Sequence, residues 1–218
     1  IRRPPRSTQG VSSAASDVYK RQDIYNEISG HFDKTRGYQW SWITDFINSI
    51  PHNSSITDIG CGNGRNMLNP NYNFIGIDNC IEFIKICTKQ NMNVIQSDMT
   101  KIPIKSHSQD AVISIASFHH LSSNARRLEA LKEMRRIIKA SGKILISVWS
   151  ITQPEKTRRK FTEYGDTIVT WNNNRGKIYD RYYYIFNIDE IKELFKKADL
   201  ILEKHIWDCG NEIFVLHT

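Results

Sequence analysis

The sequence predicts an α/β domain: a mostly parallel, seven-stranded sheet with helices on both faces and an antiparallel hairpin at one edge. Three observations carry this. Short β-prone runs alternate with helix-period runs from residue 56 to residue 148. A glycine turn, Asp58-Ile59-Gly60-Cys61-Gly62-Asn63-Gly64, follows the first of those runs. Two apolar runs at the end of the chain flank the turn-forming Asp208-Cys209-Gly210-Asn211. Strands separated by helices close into a parallel sheet through right-handed crossovers.

Residues 1–22 lack periodicity and are rich in Ser, Pro and Arg, so a disordered or non-native tail is expected there, with an Arg- and Ser-rich transit peptide as the competing reading. This segment holds five of the 30 basic and one of the 23 acidic residues, leaving 25 and 22, or +3, for the rest of the chain. Bulk charge that small gives little argument for a nucleic-acid partner, and local clustering must supply it. Residues 23–218 suit one domain. No apolar run reaches the ~20 residues of a membrane span. Cys61, Cys80, Cys87 and Cys209 are scattered, which fits reduced thiols in a cytoplasmic (or nuclear) protein.

Residues 23–50 read as two amphipathic helices, with Tyr25, Ile28 and Phe32 on one stripe and Trp42, Ile43, Phe46, Ile47 and Ile50 on the other. The joint between them carries His31, Arg36 and Trp40, groups that bind anions or stack, as a ligand lid would. Strands are expected at 56–59, 73–77, 93–96, 111–116 and 143–148, and helices at 63–68, 80–90 and 124–139, the last closed by Ser141-Gly142. A helix near 189–198 precedes the final pair of strands, 200–206 and 212–217.

A strand followed by a glycine turn delivers backbone to the carboxyl edge of a parallel sheet, where a ligand can lie against it. Gly60, Cys61, Gly62 and Gly64 form that turn, and the helix expected after it would add free N–H groups. Asp58 distinguishes the possible ligands, because a carboxylate repels a pyrophosphate and attracts an ammonium or sulfonium. This favours S-adenosylmethionine over a nicotinamide dinucleotide or an empty turn. Asp78 ends the next strand, 20 residues after Asp58, where it can accept from both hydroxyls of a ribose, with Asn79 beside it. Asp98 and Met99 follow the third strand, suited to an adenine amino group and ring, although a turn-capping Asp98 reads equally well. The fourth strand ends in small residues, Ala116 and Ser117, before His119-His120. The paired histidines are expected to face substrate, with a structural role as the competing reading, and His119 is taken as the site candidate. No Cys or carboxylate stands at ligand spacing to it, and no metal site is expected.

With these residues in view, the chain resembles the class I S-adenosylmethionine-dependent methyltransferases, through DIGCGNG, GIDN, SDM and DAVISIASFHHLSS. In more detail it is similar to the tRNA wobble-uridine methyltransferases that esterify a 5-carboxymethyl group. That likeness rests on YNEISGHFDKTRGYQW, SIASFHHLSSNARRLEALKEMRRIIKASGKILISVW, DTIVTW and RYYYIF. It departs at Gly37-Tyr38-Gln39-Trp40-Ser41, where the family has a Lys-Pro-Trp-Pro-like run, and at Asn211-Glu212, where the family has Asn-Trp. The resemblance implies a Rossmann-like class I methyltransferase fold and S-adenosylmethionine as cofactor. It also implies the tRNA anticodon loop and a small zinc-binding activator protein as partners.

If the acceptor is a carboxylate, with a pKa of ~4, no general base is needed, and the site must supply cations and donors. Arg36, His31, His119 and Asn211 are the candidates for that role. Around the mouth, Lys156, Arg158, Arg159, Arg175, Lys177 and Arg181, interleaved with aromatics such as Tyr182, form a basic insert at about 150–181 expected to meet tRNA. A class I methyltransferase of a small molecule, or a non-catalytic subunit that binds S-adenosylmethionine or tRNA, would share most of these features.

Overall fold

The computed structural model describes residues 24–30, 39–157, 159–172 and 177–218. The expected tail at 1–22 lies outside them, as does most of the joint between the first two helices. Two helices open the domain, α1 at 24–30 and α2 at Ser41–Asn48. The sheet follows: β1 (Ser55–Ile59), β2 (Asn73–Asp78), α3 (Ile81–Lys89), β3 (Val94–Gln96), β4 (Gln109–Ile115), α4 (Asn124–Ile137) and β5 (Ile138–Trp149). After β5 come β6 (Gly165–Asn172), β7 (Ile178–Ile185), α5 (Ile188–Lys197), β8 (Ile201–Asp208) and β9 (Asn211–His217).

Seven strands lie in the order β3-β2-β1-β4-β5-β9-β8. The first five pair in parallel, while β9 and β8 are antiparallel, the edge hairpin expected from the sequence. Cys209 (φ 46°) and Gly210 (φ 82°) make its two-residue turn, the double positive-φ geometry that matches strand twist. Alternation along β4 divides the core. Ala111, Ile113 and Ile115 pack with Ile43, Phe46 and Ile47 of α2 on one face. Val112 packs on the other with Leu131 and Met134 of α4 and Ile191 and Phe195 of α5. The strand order reverses between β1 and β4, so their carboxyl ends open a crevice, the position where sheets of this kind hold ligands.

Two local expectations are corrected. No helix follows the glycine turn: only a 3₁₀ turn, Arg65–Met67, forms there. Pro70 disfavours helical geometry in Asn69, and β2 begins at Asn73, too soon for a helix to develop. Ser141-Gly142 does not close α4, because β5 begins at Ile138 and both residues lie inside that strand. The pairing with β4 jumps from Gln109–Ile138 to Ala111–Lys143 across this irregularity. A Cβ on Gly142 would come within 2.8 Å of the Asp110 carbonyl oxygen, so this glycine serves close packing rather than a helix end. The basic insert contains a separate two-stranded sheet, β6 with β7, in which Val169 faces Arg181 and Thr167 faces Tyr183. Among the described residues, no helix is long and apolar enough to cross a membrane.

Candidate active site

The loops after β1 and β4 are stitched together at the crevice. Ser117 Oγ donates to the Ile59 carbonyl at 2.8 Å, and the amides of Gly60 and Cys61 both point at the Ile77 carbonyl, 2.7 and 3.1 Å away. Gly60 has φ +76°, and a Cβ there would lie 2.3 Å from Ser117 Cβ. Both the backbone conformation and the approach of the neighbouring loop therefore demand glycine.

Asp78 anchors this loop from β2. One carboxylate oxygen accepts from the Gly62 amide and the other from the Cys80 amide. Burial nevertheless raises its pKa, against the lowering effect of those amides. The carboxylate stands on the cavity wall, where a ligand's hydroxyl groups can reach it.

A cavity of about 250 Å³ opens between the loops and the β6–β7 sheet. Of the predicted residues, its wall includes Gly60, Cys61, Gly62, Asp78, Asn79, Asp98, Met99 and Ala116 at the glycine-turn end. Trp40, Arg159, Arg181 and Asn211 also line it. Ala116 sits at φ 51°, with its amide bonded to the Ser147 carbonyl, so its small side chain leaves the wall open. Asp98 is both a turn cap and a wall residue. It accepts from the Thr100 amide and hydroxyl and pairs with Arg126 at 2.6 Å. Burial pushes its pKa up, but the Thr100 bonds and Arg126 outweigh this and the net shift is downward.

Several predicted positions fall elsewhere. Asp58 is fully buried behind the glycine turn and does not line the cavity. Asn66, which does, donates to Asp58 Oδ2 at 3.3 Å, while Oδ1 has no hydrogen-bond partner. Desolvation raises the Asp58 pKa to about 7. Gly64 also stands off the wall, its space limited by Met92.

His119 is fully buried rather than substrate-facing, and its Nδ1 accepts the Trp149 amide hydrogen at 3.0 Å. Burial first, then the electrostatic influence of His120, Arg159 and Arg181, holds its pKa well below the ordinary value. Asn211 reaches the wall, but its amide donates to the carbonyls of Asp208 and Cys209 and so ties the hairpin turn.

Lys156, Lys177 and Tyr182 lie off the wall: Lys177 is paired with Glu27, and the Tyr182 hydroxyl donates to Asp166. His31, Arg36, Arg158 and Arg175 lie outside the described residues.

The sequence reading missed His120. A 3₁₀ turn at Phe118–His120 sends the two histidines opposite ways, one into the core and the other onto the cavity wall. His120 Nδ1 meets the Tyr182 carbonyl at 2.9 Å and must donate to it, which leaves Nε2 to accept from the Tyr25 hydroxyl at 3.0 Å. Trp149 and Tyr183 were missed as well. They stack with centroids 4.0 Å apart, and Arg159 lies 3.9 Å above the Trp149 ring. The cavity wall thus carries the carboxylates of Asp78 and Asp98 together with Arg65, Arg126, Arg159 and Arg181, with Arg126 already paired to Asp98. Among the described residues, no group of three or more His, Cys, Asp or Glu is arranged to hold a metal.

Comparison with known proteins agrees with this architecture. The methyltransferase domain family matches residues 57–146. The tRNA (carboxymethyluridine(34)-5-O)-methyltransferase of Schizosaccharomyces pombe is 35% identical over 210 residues, covering 86% of this chain and 91% of that protein. The ALKBH8 enzyme of the same description from Mus musculus is 36% identical over 158 residues; the match covers 72% of this chain and only 24% of that longer protein. Among solved structures, a chain from the complex between the Haloferax volcanii Trm112 methyltransferase activator and a putative methyltransferase superposes with a TM-score of 0.65. It is 15% identical, with 90% of this chain and 96% of that one covered, a likeness of fold alone. On the strength of its match along nearly the whole fission yeast protein, the chain belongs to the tRNA (carboxymethyluridine(34)-5-O)-methyltransferase family.

Proposed function

We propose that the protein transfers a methyl group from S-adenosylmethionine to the carboxylate of 5-carboxymethyluridine at the wobble position of tRNA, giving the methyl ester. The composition of the cavity wall carries this reading: the glycine turn and Asp78 share one cavity with Arg159 and Arg181. The residues fit the donor. Gly60 and Gly62, both in left-handed backbone, bring main chain to the cavity wall, and Asp78 presents its carboxylate beside them. Asp58 adds a buried acceptor lacking a partner, one layer behind. When bound, S-adenosylmethionine supplies an electrophilic methyl group on a positively charged sulfur.

The chain's own residues do the rest by placement. Asp78 and Asp98 favour a cationic, hydroxyl-bearing ligand. Arg159 and Arg181 favour an anion. Trp149, Tyr183 and Tyr25 add aromatic surface to the same wall. An ionised acceptor needs no proton removed, consistent with His119 being neutral and buried and with His120 being occupied by Tyr25 and Tyr182. A small activator protein is part of the proposal, supported by the archaeal structural relative seen in complex with a Trm112 activator; that the activator binds zinc is what the family resemblance implies.

The test is incubation with labelled donor and tRNA carrying 5-carboxymethyluridine, with and without activator. Label is expected in that nucleoside. Transfer to a small acceptor instead, with tRNA unlabelled, would overturn the reading.

A further inference from the structure

Arg181 has an unusual position for a guanidinium. Along β7, Tyr179, Arg181, Tyr183 and Ile185 alternate inward, and Arg181 is only 4% exposed. Its carbon centre lies 4.7 Å from the Trp171 ring centroid and 5.2 Å from that of Tyr183, so aromatic faces hold it in place. Among the described residues, no carboxylate forms an ion pair with it. Its Nε is buried without a hydrogen-bond partner, yet the residue lines the cavity. The Tyr25 hydroxyl is a side-chain hydrogen-bond partner of this guanidinium, yet its charge meets no carboxylate among the described residues and one donor stays unmatched, which is costly for a desolvated cation unless a ligand supplies the missing anion. Arg159 lines the same cavity, over Trp149.

We propose that Arg181, with Arg159 beside it, is the clamp that selects a carboxylate acceptor over its neutral amide counterpart, an inference that rests on the methyl-transfer reading above. A guanidinium can hold one carboxylate oxygen by its free N–H and leave the second to react. That oxygen forms a bond to the methyl carbon as the carbon–sulfur bond breaks, and the electron pair of the broken bond remains on sulfur. No proton moves. The product is a neutral ester without the charge that Arg181 holds, so the clamp releases product more readily than substrate.

The test uses the complex with its activator, the variants R181Q and R181K, and tRNA bearing either 5-carboxymethyluridine or 5-carbamoylmethyluridine, the latter as a competitor. The wild type is expected to prefer the carboxylate tRNA by about tenfold or more in binding. R181Q is expected to lose that preference and about 100-fold in kcat/KM, while donor affinity measured by calorimetry stays within about twofold. R181K, which keeps the charge but not the planar fork, is expected to fall between. An unchanged preference in both variants would overturn the inference. Loss of donor binding in both would also overturn it, by showing a structural role. A wild type that makes no ester on the carboxymethyl tRNA removes the reaction itself, an outcome distinct from an active but unchanged R181Q.

Discussion

Asp78 holds the glycine turn in place: its carboxylate accepts from the Gly62 amide at 2.9 Å, joining the end of β2 to the loop after β1. The same carboxylate is the proposed partner of the donor's ribose, so one side chain both shapes and fills the site. Asp78→Ala is expected to lower donor affinity about tenfold or more while leaving far-ultraviolet dichroism unchanged, because both a ligand contact and a loop anchor are lost. Calorimetric titration checks this.

Asp58 should trade stability for binding. Burial raises its pKa from 3.8 to about 7, so the folded state holds a proton that the unfolded state has released. Its contribution to stability is fully present below 3.8 and is lost as pH rises through about 7. Asp58→Asn removes this dependence. The apoprotein is expected to gain roughly 1–4 kcal/mol at pH 8 relative to wild type while losing donor affinity. Thermal unfolding from pH 5 to pH 8, beside donor titration, reads both effects.

His119 should behave as a structural residue. Its Nδ1 accepts the buried Trp149 amide hydrogen, and His119→Leu leaves that donor unsatisfied. A loss of about 1–3 kcal/mol is expected, seen as a melting temperature lower by roughly 2–10 °C. The pH profile of kcat should not shift, since a histidine held neutral does not set it.

Gly60→Ala is expected to abolish donor binding. The added Cβ would lie 2.3 Å from Ser117 Cβ, on a backbone already at φ +76°. Failure to bind donor in an otherwise folded protein is the expected result of titration.

The exposed Lys156 and Lys160 are suited to tRNA phosphates. Replacing both with Ala should weaken tRNA binding and flatten its salt dependence by about one unit of slope per lost contact, without changing donor affinity. Filter binding across a salt series measures this.

The parts of this structure legible in the sequence were those with a local cause. The turn at Gly60, Gly62 and Gly64, the acid at the end of β2 and the Cys209-Gly210 hairpin each follow from backbone geometry at their own positions. The β4 strand, with apolar residues on both faces, was legible for the same reason.

What was missed depends on contacts distant in sequence. His119 and His120 are indistinguishable as neighbours, and only the 3₁₀ turn against Tyr183 and Tyr182 decides which faces the cavity. Gly142 read as a helix end because its neighbour across the sheet, Asp110, lies 32 residues earlier. Arg181 read as one basic residue among several. The inward alternation of β7 that buries it was present in Tyr179, Arg181, Tyr183 and Ile185, and a period-two reading of that run would have placed it with those apolar residues and apart from Asp180.

The most direct test of the central claim is the chemistry of the bond formed. After reaction of hypomethylated tRNA with labelled donor and the activator-bound protein, the account predicts label at the wobble nucleoside that mild alkali releases as methanol, because only an ester hydrolyses so readily. Label that survives alkali, marking methylation of a base nitrogen or a ribose, would contradict it.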